Sequence, residues 1–289
     1  MIKKTTILLF IMLSSLGCYS QINDLGGVEY TAFFGSDNHP FIGISEIAVN
    51  LPIPLGKEEH YLVNGFSYSN VGIGYNDTYS FSTSELDRFH IIQYTLGFTF
   101  PMSDRWRFTA QISPSLASNF ATGVSSDDFV MNGSIILIRT IESPKKNRLT
   151  LGLTYNQTSG IPIPLPFITY YKEINPNLSY TVGVPITKMK YYFGDQKHSV
   201  EGFVRLAGFF SNLSNPIAIG DQEAKQINLS AVVLGFGYDY YVGKRLNFFV
   251  KGGYLLRNEL RLEENASTEV FNFELGDTFY ARGGFKFNF

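Results

Sequence analysis

The chain alternates in polarity up to its last residue. Phe279, Ala281, Gly283, Phe285, Phe287 and Phe289 share one parity, and Tyr280, Arg282, Gly284, Lys286 and Asn288 share the other. A period of two belongs to a β-strand, whose successive side chains leave on opposite faces. Residues 105–117 show the same pattern, with Trp106, Phe108, Ala110, Ile112 and Leu116 set against Arg107, Thr109, Gln111, Ser113 and Ser115. Residues 148–156 and 246–257 repeat it, and no stretch sustains the period of 3.6 that an amphipathic helix requires. The chain therefore reads as all-β.

The fold depends on what covers the apolar face. A soluble sandwich buries one face and presents charge on the other, whereas the polar faces here carry Ser, Thr, Asn and Gly with only occasional charges. Aromatic residues make up 16% and charged residues only 17%, so the apolar rows are better matched to lipid than to a second sheet. Beyond the N-terminus no run approaches the ~20 apolar residues of a membrane helix, so any crossing must be made by strands. Strands in hydrocarbon must close on themselves, because a free edge leaves polar backbone groups unpaired. The expectation is a closed antiparallel transmembrane β-barrel, with Trp106, Tyr155 and Tyr254 among the aromatic residues of its interfacial belts.

Connections alternate between short and long. Short turns fall near Gly56–Glu59, Met102–Arg105, Pro144–Asn147, Asn175–Asn177, Asp195–Lys197 and Gly243–Lys244. Longer polar loops are expected at Asn76–Asp87, Ser118–Asp128, Ser211–Lys225 and Asn258–Ser267. This spacing predicts about 14 strands, or 12 if Tyr180–Phe193 is one broken strand rather than a hairpin, with both termini in the periplasm.

Residues 1–20 have the order of a secretory signal peptide: Lys3 and Lys4, an apolar run from Ile7 to Leu13, then small and polar residues to Ser20. Removal after Ser20 leaves residues 21–289 as one barrel domain; lipidation at Cys18 is the alternative. In either case the exported body has no disulfide, since Cys18 is the only cysteine.

No G-x-S-x-G, P-loop, H-E-x-x-H or C-x-x-C motif is present, so neither an enzyme nor a cofactor is expected. His39, His60, His90 and His198 are scattered without ligand spacing, and a net charge of −2 gives no general attraction for nucleic acid. The charged residues on the polar parity are the candidates for function: Arg107, Glu201, Arg205, Lys251, Arg282, Lys286 and Glu46 are expected to face the lumen. They would either line an aqueous path for small solutes or pair within a filled interior. Acidic loop residues such as Asp127, Asp128, Glu263 and Glu264 are candidates for binding a partner. In GIPIPLPFITYY, Pro162, Pro164 and Pro166 recur at every second position; a proline cannot donate to a ladder, so a mouth constriction, a lateral opening or a rim is expected there.

The terminal strand, closing in aromatic-x-aromatic at Phe289, resembles the signal by which Gram-negative outer-membrane barrels are recognised for insertion. Together with the leader, GIPIPLPFITYY, NLSYTVGVPITKMKYYF and GGFKFNF, it makes the whole mature chain similar to uncharacterised Gram-negative barrel families of the domain-of-unknown-function type. The resemblance implies location in the outer membrane and contact with its lipid and with the insertion machinery, while the mixed-charge lumen positions point to a passive channel or transport barrel for small solutes. A closed barrel whose outer loops bind a partner is the alternative, and a lipid-acting enzyme is a weaker one.

Overall fold

A strand crossing hydrocarbon must find partners for its N–H and C=O groups on both sides, and the strands here do so by forming a ring. The computed structural model describes residues 24–35, 39–56, 59–141, 146–266, 268–276 and 278–288, without the side chains of residues 159, 161 and 162. The expected leader 1–20 with Cys18, and Phe289, lie outside the described residues. The strands are β1 (Asp24–Phe34), β2 (Phe41–Pro54), β3 (Tyr61–Gly74), β4 (Arg88–Pro101) and β5 (Trp106–Ser118). β6 (Phe129–Ile141), β7 (Asn147–Asn156), β8 (Ile161–Asn175), β9 (Leu178–Val184) and β10 (Ile186–Phe193) follow. Then come β11 (His198–Ile219), β12 (Gln222–Val242), β13 (Leu246–Asn265), β14 (Thr268–Phe273) and β15 (Phe279–Asn288).

Each strand from β1 to β13 pairs antiparallel with the next; β13 then pairs with β15, and β15 with β1, for example Val28 opposite Phe285. The result is a closed barrel of fourteen strands, with β14 as an additional short strand on the far part of β13. Tyr180–Phe193 is resolved as the hairpin of β9 and β10, which decides for fourteen strands over twelve. Alternation assigns the faces as expected: Phe236 is 77% exposed and Phe279 63% exposed on the outside, while Ser113, Ser115, Glu201 and Asp239 are buried on the inside. Water would penalise this outer surface, and lipid accepts it.

Two of the expected long loops are instead strand. Residues 211–225 and 258–267 mostly extend the tall ladder of β11, β12 and β13, which have 22, 21 and 20 residues. Their polar residues had suggested loop. Backbone pairing such as Ser211 opposite Ile227 and Asn228 opposite Arg261 keeps the strands regular above the membrane-spanning portion, where polar side chains are tolerated.

The two ends of the bore differ. At the end away from the termini, Asn212 of β11 pairs with Ser118 of β5, drawing β11 across the bore. β1–β5 and β11–β15 then enclose an apolar core that includes Phe33, Ile42, Phe89, Phe209, Leu229, Leu262 and Phe273. Tyr75, Tyr79 and Phe81, from the segment between β3 and β4, pack on Phe271 and Phe273, with ring centroids 5.0 Å apart for Phe81 and Phe271. Burial, then the neighbouring Tyr79 and Asp87, push the Tyr75 phenol well above its ordinary pKa. The turn Gln157–Ser159 folds onto the same region: Gln157 N donates to Asn132 Oδ1 at 2.8 Å, and Ser230 Oγ donates to the Gly160 carbonyl.

Gly160 has φ +82°, and a Cβ there would collide with the Leu229 carbonyl oxygen. Gly160→Ala is therefore expected to lower stability by about 2 kcal/mol or more, from a left-handed backbone plus a backbone clash. The loss would be seen as a lower midpoint of heat-modifiable migration in detergent.

A candidate site: a cationic chamber in the bore

At the end bearing both termini the interior is polar, because alternation brings charges inward from seven strands, β1, β7, β10, β11, β12, β13 and β15. On β10, Lys188 and Lys190 point in between the exposed Met189 and Tyr191. On β12, Asp239 points in between the exposed Tyr238 and Tyr240. Register then aligns a row across the wall: Lys190 lies opposite Glu201, Glu201 opposite Gly237, Gly237 opposite Lys251, and Lys251 opposite Arg282. Gly237 is the gap in this row. A Cβ there would meet Lys251 Cγ at 3.0 Å and Glu201 Cγ at 3.2 Å, so its absence lets Lys251 reach across to Glu201.

Buried carboxylates need partners, and these have them. Glu201, 3% exposed, is ion-paired with Lys251 and lies 3.7 Å from Lys188 and 3.8 Å from Lys190. Asp239 accepts from Lys190 at 2.9 Å and from Asn247 at 3.0 Å. Lys190 also donates to Tyr241 Oη at 2.8 Å. Closer to the rim, Lys286 pairs with Asp24 at 2.8 Å, and Arg282 pairs with Glu29. Lys251, Arg282 and Lys286 all lie within 6 Å of the Phe249 ring centroid, at 5.6, 5.9 and 5.9 Å, so the ring face offsets part of their mutual repulsion.

These side chains surround a cavity of about 680 Å³. Its lining carries eight Lys or Arg residues against Asp24, Glu201 and Asp239. Lys146, Arg148 and Arg205 have no carboxylate partner among the described residues, and the buried Arg148 Nε has no hydrogen-bond partner. A second cavity of about 510 Å³ adjoins it, shares Lys146, Arg148, Lys188 and Lys190, and is lined otherwise mainly by hydroxyls such as Thr150, Thr169 and Ser179. The chamber is thus a preformed excess of positive charge inside low-dielectric walls, the arrangement that concentrates anions.

Five of the residues singled out from alternation, Glu201, Arg205, Lys251, Arg282 and Lys286, line this one cavity. Arg107 stands apart, donating to Glu59 Oε2 at 2.6 Å and to its carbonyl at 2.8 Å. Glu46 lies opposite Glu29 on the neighbouring strand. Pro164 and Pro166 are exposed with Ile168 and Tyr170 on the outer parity of β8, so neither projects into the bore; the Pro162 side chain lies outside the described residues. Lys146, Arg148, Lys188, Lys190, Asp239 and Phe249 were not among the sequence candidates. The signal that would have found Lys188, Lys190 and Asp239 is the same parity rule applied to β10 and β12. His198 donates to or accepts from Tyr238 Oη at 2.7 Å, and no His/Asp/Glu group able to hold a metal occurs among the described residues.

A family model described as Domain of unknown function (DUF6268) matches residues 66–288. No curated protein matches the chain. Among solved structures, a KdgM porin is similar at 7% identity and TM-score 0.39, covering 91% of this chain and 99% of its own. LpxR from Salmonella typhimurium is similar at 10% identity and TM-score 0.41, covering 91% and 100%. The calcium-bound dimer of the Salmonella typhi outer membrane phospholipase (OMPLA) is similar at 9% identity and TM-score 0.35, covering 96% and 97%. Likenesses of this grade, shared by porins and enzymes, carry nothing about activity.

Removing the carboxylate that three lysines share is expected to be costly. Glu201→Ala should destabilise the barrel by about 3 kcal/mol, as for other broken buried ion pairs, whereas Lys188→Gln should cost less than about 1 kcal/mol. Guanidinium unfolding in micelles measures both.

Proposed function

Because the chain belongs to the DUF6268 family, whose description assigns no activity, we propose its function from the chamber: it is an outer-membrane barrel that takes up a small anionic solute from the side bearing its termini. The observation that carries this reading is the presence of three cations, Lys146, Arg148 and Arg205, that line the cavity with no carboxylate partner among the described residues. A filled interior would be expected to pair its charges, as Lys190 and Asp239 do. Unpaired cations in a low-dielectric cavity instead make a site whose missing counter-charge is the ligand.

Further support comes from the asymmetry of the bore. Above the chamber, Phe33, Phe203 and Tyr280 are all buried, and the apolar core continues beyond them to the far end. That core occupies the bore on the side of β1–β5 and β11–β15. The chain is accordingly read as a closed, solute-binding barrel rather than a permanently open pore. With residues 1–20 removed as a leader and the strand ending at Phe289 guiding insertion, the termini and chamber mouth face the periplasm.

Two measurements test the reading. Titration calorimetry of the purified barrel with inorganic phosphate should show binding that weakens as salt is added, because mobile ions screen the chamber. Arg148→Gln combined with Arg205→Gln should weaken it about tenfold or more, which corresponds to roughly 1.4 kcal/mol. In a planar bilayer the native protein should show no steady unitary conductance; regular steps would replace the closed reading with that of an open channel.

A further inference from the structure

The wall of this barrel is interrupted on one side. β9 and β10 have only seven and eight residues, and a tilted strand needs about 9 to 11 to cross the hydrocarbon. β9 leaves β8 at Val184, opposite Ile168, and β10 first meets β11 at Ile186, opposite Arg205. Beyond that hairpin tip, residues 161–167 of β8 have no strand on the β9 side, and residues 207–210 of β11 have none on the β10 side. Farther on, the turn 157–160 spans the gap by binding Ser230. What remains is a window framed by β8, β11, the hairpin tip and that turn.

The β8 edge of this window is chemically finished. Glu173 donates its N–H to the Lys146 carbonyl beside β7, so even positions along the regular part of β8 direct theirs toward β9. Pro166 lies on that parity just past the end of β9, where an N–H would have no acceptor, and Pro164 follows two residues on. A proline where a strand edge meets lipid removes the unpaired donor that makes such an edge costly. On the opposite side, Arg205 Nε donates to the Leu206 carbonyl at 3.3 Å. The chamber reaches this frame, because its lining includes Pro185, Ile186 and Leu206. Leu206 sits on the outward parity of β11, immediately after the inward Arg205.

We propose that the window is a lateral opening, and that the ligand is a single-chain amphiphilic anion. Its head would lie among Arg148 and Arg205, and its alkyl chain would pass between β8 and β11, along Ile163 and Leu206, into the bilayer. The proposal rests on the anion-binding reading above and names its ligand class. A phosphate and a carboxylate head share the chemistry that the guanidinium groups recognise.

The mature barrel in zwitterionic lipid nanodiscs, labelled with dodecyl phosphate carrying a diazirine at the chain end, tests this. Adducts are expected on residues 161–167 or 206–210, and excess methyl phosphate should reduce them about tenfold by competing for the head site. Adducts scattered around the outer face, or window adducts indifferent to methyl phosphate, would overturn the lateral opening while the phosphate titration still stands. No phosphate binding in that titration would sink the chamber reading and this proposal with it. Leu206→Trp, narrowing the window, should cut the adducts about fivefold or more, with Ile163→Trp on the other side used if the first variant fails to fold. Undiminished labelling in a folded variant also overturns the proposal. Dodecyl carboxylate run in parallel separates a phosphate head from a fatty-acid head.

Discussion

Every backbone N–H and C=O that faces hydrocarbon must be paired within the protein, and the rest of this structure follows from that constraint. Closure of β15 onto β1 and β13 satisfies it for the ring as a whole. Where the ring is incomplete, beyond the short β9–β10 hairpin, β8 carries Pro164 and Pro166, and Arg205 donates to the Leu206 carbonyl. The same requirement therefore accounts for the regular part of the wall and for the residues found at its one interruption.

Alternation then divides the molecule by polarity. Residues on the outer parity are mostly apolar because they meet lipid, with Asn64, Asn70 and His90 paired to outer tyrosines or to each other among the exceptions, but residues on the inner parity differ with height. Toward the far end Phe, Leu, Ile and Val of β1–β5 and β11–β15 pack into a core, aided by β11 crossing to β5, while Ser113, Ser115 and Asn132 are buried beside it on β5 and β6. Toward the termini they are Lys, Arg, Asp and Glu, held around Phe249 and Gly237. Phe33, Phe203 and Tyr280 stand where the charged part of the lumen meets the apolar core.

The chamber combines two kinds of charge. Glu201 and Asp239 are ion-paired with Lys188, Lys190 and Lys251, and those contacts tie β10, β11, β12 and β13 together. Lys146, Arg148 and Arg205 lie on the side toward β7 and the window and take no part in that network. Paired and unneutralised charges thus fall on different residues of one cavity, which is why the loss of either group should be distinguishable.

Much of this was legible in the sequence, for a physical reason: strand alternation is a local property, and lipid demands it strictly on one face. It gave an all-β transmembrane barrel of about fourteen or twelve strands, and it put Glu201, Arg205, Lys251, Arg282 and Lys286, which line the cavity, on the inner parity. Polar composition misread 211–225 and 258–267 as loops, because pairing above the membrane does not require apolar side chains. Parity cannot say which inward residues meet, since that depends on the register between strands and on the closure of the ring. Only the tertiary structure decided that an apolar core fills one side of the far half of the bore, that three cations of the near half have no carboxylate partner among the described residues, and that the prolines of β8 lie where β8 has lost its neighbour on the β9 side. These are properties of strands brought together from distant parts of the chain, and no local pattern contains them.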